Sequence, residues 1–82
     1  MTYTRAHIRL DKTKEVEDFV RNMNSDGTTN KYVLENFDST HRVDARSYLG
    51  ALYFSVEHPD DTYLVNLSDG KELPLFIDKY RI

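Results

Sequence analysis

Thr2-Tyr3-Thr4-Arg5-Ala6-His7-Ile8-Arg9-Leu10 runs on into Asp11-Lys12-Thr13-Lys14-Glu15-Val16-Glu17-Asp18-Phe19-Val20-Arg21-Asn22-Met23-Asn24, and the change of rhythm between the two segments decides the fold class. In the first segment Ala6, Ile8 and Leu10 alternate with Arg5, His7 and Arg9, the pattern of a strand with one buried and one wet side. In the second, Val16, Phe19, Val20 and Met23 recur at i, i+3, i+4 and i+7, which predicts an amphipathic helix over 11–24. Asp11 is its expected N-cap, and Asn24-Ser25-Asp26-Gly27 supplies residues that tolerate the left-handed conformation of a helix stop.

Working outward, residues 30–37 are rich in Tyr, Val, Leu and Phe and read as a strand, and residues 40–43 as a shorter one, with Asp38-Ser39 as the hairpin turn. A second helix is predicted from Ser47 to Val56, its core stripe being Leu49, Leu52, Tyr53 and Val56, and His58-Pro59-Asp60-Asp61 ends it. Residues 62–67 form a fourth strand, with Ser68-Asp69-Gly70 as its exit turn. A final helix begins near Leu73, where Pro74 is tolerated in the first turn, and places Leu73, Phe76, Ile77 and Tyr80 on the core. The order is β-α-β-β-α-β-α. Right-handed crossovers then predict an α+β open-faced β-sandwich: a four-stranded antiparallel sheet with three helices on one face and water on the other.

Composition limits what such a domain can do. The chain has 82 residues, enough for one small domain, so residues 1–82 are read as a single unit with one core. A hydrophobic share of 39% is too high for a disordered tail, yet no apolar run approaches the roughly 20 residues of a membrane span. Absence of cysteine excludes disulfides, thiol chemistry and cysteine-ligated zinc. The start MTYTRAH carries no signal-peptide core, and a bacterial cytoplasmic protein is the expectation. Lys/Arg and Asp/Glu balance over residues 1–50, so the whole net charge of −3 falls in residues 51–82. That distribution disfavours direct nucleic-acid binding and offers no polybasic membrane patch.

The stretch Arg42-Val43-Asp44-Ala45-Arg46-Ser47-Tyr48-Leu49-Gly50-Ala51-Leu52 resembles the regulatory-serine region of HPr, the phosphocarrier of the bacterial sugar phosphotransferase system, with basic residue, serine and glycine in register. The family's V-N-x-K-S-I-M-G pattern is V-D-A-R-S-Y-L-G here, and element order and length match as well, so the resemblance covers essentially the whole chain. It implies the HPr-like sandwich just described. It also implies a regulatory phosphorylation site at Ser47, and an apolar docking patch of Tyr48, Leu49 and Leu52 for enzyme and regulator partners.

The family's other signature departs. Aligning Phe19-Val20 with the family's apolar pair puts Lys12 where the phosphoryl-carrying histidine belongs and Lys14 where its arginine belongs. Phosphocarriers use an imidazole nitrogen as nucleophile, whereas a lysine amine (reference pKa about 10.4) is protonated near neutral pH and has no lone pair to offer. Lys12 and Lys14 suit anion or partner binding, not phosphoryl relay. The expectation is therefore a non-catalytic, HPr-like regulatory or protein-interaction domain. It resembles the catabolite-repression members (Crh-like) that keep the serine without the histidine. Expected partners are HPr kinase, phosphotransferase enzymes or a transcription regulator, with no cofactor and no enzyme activity of its own.

Plainer readings stand beside these. Ser47 also reads as an ordinary N-cap serine, worth about 1 kcal/mol against alanine, and Leu49 and Leu52 as core. His7, His41 and His58 fall on three elements, no pair has metal-ligand spacing, and no metal site is expected. Glu57, Asp60 and Asp61 read as solvated loop carboxylates. Tyr32, Phe37 and Tyr63 could make an RNA platform on the strands, but the acidic balance favours packing. Two rival functions remain: an active phosphocarrier using His7 or His41, and an unrelated ferredoxin-like binding domain.

Overall fold

A computed structural model describes residues 4–27, 29–68 and 73–82. The order is β1 (Thr4–Ile8), α1 (Thr13–Ser25), β2 (Tyr32–Glu35), β3 (Arg42–Asp44), α2 (Tyr48–Glu57), β4 (Thr62–Asn66) and a 3₁₀ helix (Leu75–Tyr80). The four strands form one antiparallel sheet in the order β1-β4-β2-β3. In register Ala6 faces Leu64, Leu34 faces both Leu64 and Val43, and Tyr32 faces Asn66. Helix α1 thus joins β1 to β2 across the intervening β4, and α2 joins β3 to β4 across β2. The protein is α+β, as the change of period predicts. The proposed exit turn at Asp69-Gly70 lies outside the described residues.

Pleating sorts the sheet residues. Ala6, Ile8, Leu34 and Leu64 join Val16, Phe19, Val20 and Met23 of α1 and Ala51 and Phe54 of α2 in one core. The α1 stripe is the one its spacing predicts. Arg5, His7, Tyr63, Glu35 and Arg42 alternate to the opposite side, which is less bare than the pattern suggests. Val33 and Val65 are buried there, and Glu35 is only 3% exposed, held by the Ser39 hydroxyl at 2.9 Å and by the Arg42 guanidinium. A buried carboxylate needs such donors, because an unpaired one would cost several kcal/mol.

Three local expectations change. Asp11 does not cap α1: Lys12 takes that position with extended backbone and no side-chain cap. The Asp11 carboxylate pairs with Arg9 at 3.0 Å while its amide donates to Glu15 Oε1 at 2.9 Å, so its cap function is exchanged for ties on either side. The hairpin is also wider than a two-residue turn. Asn36 bridges the loop, its Oδ1 accepting the His41 amide at 3.0 Å and its Nδ2 donating to Thr40 Oγ1 at 2.8 Å, with Ser39 at φ 60°. In this loop the Thr40 hydroxyl, and next its amide, hold the Asp38 carboxyl below the usual aspartate value. A depressed folded value contributes stability above the ordinary aspartate value, and that contribution disappears as pH falls through the lowered one.

The last element is a 3₁₀ helix in place of the expected α-helix. Ile77 N donates to Pro74 O at 3.2 Å and Arg81 N to Asp78 O at 3.3 Å, both i to i+3. The chain must then return to β1, where Arg9 N donates to Tyr80 O, Ile82 N donates to His7 O and Arg81 bridges Ile8. A 3₁₀ rise of about 2.0 Å per residue covers that span in fewer residues than an α-helix can. Its three-residue period also sets Ile77 and Tyr80 in line on the core, with Leu73 and Phe76 partly buried against it.

Among the described residues, the Tyr80 hydroxyl is the one buried side-chain polar atom with no hydrogen-bond partner, while its ring packs edge-on to Phe19 at 5.7 Å. An unpaired buried hydroxyl costs more than it returns. Tyr80→Phe is therefore expected to leave stability unchanged or raise it by up to about 1 kcal/mol in urea unfolding; a loss would mean that the hydroxyl is bonded in solution.

Candidate functional site

Ser47 begins α2, and the turn before it explains why. Ser47 N donates to Asp44 O at 3.1 Å and Arg46 N to Asp44 Oδ1 at 2.9 Å, so the chain reverses direction as β3 ends. Ser47 then adopts extended backbone (φ −94°, ψ 118°), its carbonyl accepts Ala51 N at 2.9 Å and its Oγ accepts Gly50 N at 3.2 Å. That is N-cap geometry. Gly50 suits it, because a Cβ there would stand 3.3 Å from the Ser47 Oγ and 3.6 Å from Val43. Ser47 is exposed, and no acidic residue lies in the first turn of α2. A phosphate on this hydroxyl would meet the positive end of the helix, an interaction typically worth about 0.3–1 kcal/mol at a surface.

Arg46 faces the other way. Its Nη1 donates to Asn30 O at 2.6 Å, its Nε to Met23 O at 3.2 Å and its Nη2 reaches Asp26 Oδ2 at 3.4 Å, with the guanidinium 5.1 Å from the centre of the Tyr32 ring. In return Asn24 Nδ2 donates to Arg46 O at 3.1 Å. The basic residue before the serine therefore ties the end of α1 to the start of β2. Tyr32 lies under this guanidinium on the core side of the sheet. Phe37 and Tyr63 instead meet each other on the other side at 5.9 Å, so the three aromatics share no platform.

The largest departure from expectation is the orientation of α2. Its buried residues are Ala51, Phe54 and Ser55; Leu49, Tyr53 and Val56, predicted as core, are 74%, 65% and 70% exposed. Ser55 is satisfied inside by donating its hydroxyl to Leu52 O at 2.9 Å. Tyr48 and Leu52 are partly buried against the core. Of the docking residues the resemblance implies, Leu49 is the freely exposed one, and Tyr53 and Val56 continue its line at i+4 and i+7. Sequence reasoning placed those two inside. The signal that could have found them is the near absence of polar residues in Tyr48–Glu57, since a helix apolar on every side must expose part of that surface unless it is fully enclosed.

Lys12 and Lys14 are both exposed at the start of α1. Lys12, with Leu10, Asp11 and Thr13, forms one wall of a cleft of about 260 Å³ whose other wall is Leu52, Ser55, Val56 and Pro59. Lys12 and Leu52 therefore share one site, whereas Lys14 does not line it. His7 stacks on Tyr63 at 4.5 Å, and its Nε2 lies 3.0 Å from Asp60 O, on the sheet side away from the core. Of the loop carboxylates, Asp60 pairs with Arg9, and Asp61 Oδ1 accepts the Phe37 amide at 2.9 Å.

Arg46→Met is expected to cost about 2–3 kcal/mol in urea unfolding, because the Met23 and Asn30 carbonyls lose a charged donor. Arg46→Lys should recover only part of that loss, since an ammonium cannot fork between separated acceptors. Full recovery with lysine would show that charge alone matters.

No helix among the described residues is long and apolar enough to cross a membrane. Compared with known proteins, the chain matches no family model, no curated protein and no solved structure.

Proposed function

We propose that this chain is a non-catalytic, HPr-like regulatory or protein-interaction domain, an open-faced β-sandwich that docks a protein partner through the outer side of α2 and is controlled by phosphorylation at Ser47. The observation that carries the reading is that the helix capped by the exposed Ser47 also presents Leu49, Tyr53 and Val56 to solvent. Three large apolar side chains on one line of a surface helix form a feature that monomers rarely leave uncovered. The cleft beside Leu52 extends this apolar line toward Lys12, which adds a cation at its rim. The occupant is a protein with a complementary apolar pocket and an acidic edge, of the regulator or phosphotransferase-enzyme class.

Phosphorylation would act at the entry to this surface. Transfer of the γ-phosphoryl group would form a bond from Ser47 Oγ to phosphorus as the β–γ P–O bond of ATP breaks, releasing ADP and the hydroxyl proton, and would place a charge of about −1.5 to −2 two residues from Leu49. Helix amides would favour that charge locally, while a partner's apolar pocket would disfavour it, so the modification would bias partner choice. The absence of a histidine at Lys12 leaves the chain without the family's relay nucleophile, consistent with a regulatory role.

Incubation with ATP and an HPr kinase is expected to add one phosphoryl group by intact mass, and Ser47→Ala to abolish it. No adduct on the folded chain would sink the regulatory-serine reading, and phosphoenolpyruvate-dependent labelling of His7 or His41 would replace it with phosphocarrier activity. Leu49→Ser combined with Tyr53→Ser should change unfolding stability by no more than about 0.5 kcal/mol per site while weakening binding to a phosphotransferase enzyme or regulator. A large stability loss would mean those side chains are buried in solution.

A further inference from the structure

His41 and His58 are seventeen positions apart in sequence, one at the end of the hairpin loop and one at the C-cap of α2. The fold brings their ring centroids to 5.4 Å. The geometry points to a surface site for a divalent transition-metal ion of the imidazole-preferring class (Cu²⁺, Ni²⁺ or Zn²⁺), held by these two side chains. A metal about 2.0–2.1 Å from each ring nitrogen lies about 3.2 Å from each ring centre, so two imidazoles at bond angles of about 90–110° stand about 4.5–5.2 Å apart. The observed separation lies just above that range, with the rings inclined at 46°, and His41, being exposed, has room to turn.

Three further features favour an ion here. Among the described residues no hydrogen bond engages either imidazole, in contrast to His7 against Asp60 O. Packing of His58 against Phe54 at 4.5 Å fixes one ligand in place before binding. The corner also carries carboxylates: Asp38 lies in the same hairpin loop as His41, and Asp61 accepts the amide of Phe37 in that loop. Among the described residues no group of three or more His, Asp or Glu side chains is gathered for a metal. The protein therefore supplies two ligands and water the rest, a set that suits Ni²⁺ and Cu²⁺ and ranks Cu²⁺ tightest. Because coordination links the hairpin loop to the end of α2, the bound ion stabilises the folded state by mass action.

Calorimetric titration of the tag-free chain with NiCl₂ is expected to give saturable binding of one ion per chain. His41→Asn and His58→Asn should each weaken it by at least about tenfold, with His7→Asn leaving it unchanged and circular dichroism checking that each variant folds. On the unaltered chain, substoichiometric CuCl₂ should broaden the His41 and His58 ring resonances ahead of those of His7, a measurement that does not depend on any variant folding. Absence of saturable binding, loss in only one of the two variants, or broadening centred on His7 would overturn the site.

Discussion

One guanidinium holds together parts of this domain that the strand ladder does not connect. Arg46 follows β3, yet it satisfies the carbonyl of Met23 in the last turn of α1 and that of Asn30 before β2, while its plane covers the Tyr32 ring. The last carbonyls of a helix lack partners within it, and Met23 O here accepts both the Asp26 amide at 3.4 Å and the Arg46 Nε. An arginine in this place closes the end of α1, fixes the entry to β2 and sets the backbone from which α2 departs. Only a planar fork with several donors reaches three acceptors on two segments at once. Together with the Asp44 turn, this anchor places the start of α2.

Helix α2 then shows how tertiary context selects a face. Tyr48, Leu49, Leu52, Tyr53, Phe54 and Val56 leave almost no polar stripe to mark the solvent side, so periodicity allows more than one orientation. The sheet resolves the ambiguity sterically. Small residues, Ala51 and Ser55, sit inward where the helix approaches closely, Gly50 passes near Val43, and Phe54 fills the remaining space. The larger side chains are left outside. Close packing decided this orientation, because interiors accept shape before they accept hydrophobicity.

The same logic governs the termini of the other elements. Asp11 has the chemistry of an N-cap, but its neighbours Arg9 and Glu15 offer stronger ties and Lys12 takes the cap position without a side-chain bond. At the far end, a stripe spaced for an α-helix is wound tighter because the chain has to return to β1 at Arg81. In both places local preference is worth about 1 kcal/mol or less, and competing tertiary contacts exceed it.

Sequence by itself determined the α+β class, the order of elements from β1 to β4, the buried stripe of α1 and the capping of α2 by Ser47. Each of these rests on contacts within a few residues: alternation along a strand, the 3.6-residue repeat of α1, a hydroxyl three residues from an amide. Only the tertiary structure decided which side of α2 faces out, that Arg46 is an anchor between α1 and β2, that Glu35 is buried on the far side of the sheet, and that His41 meets His58. Those features depend on distances between segments remote in sequence, set by strand register and helix docking, and no local periodicity encodes them.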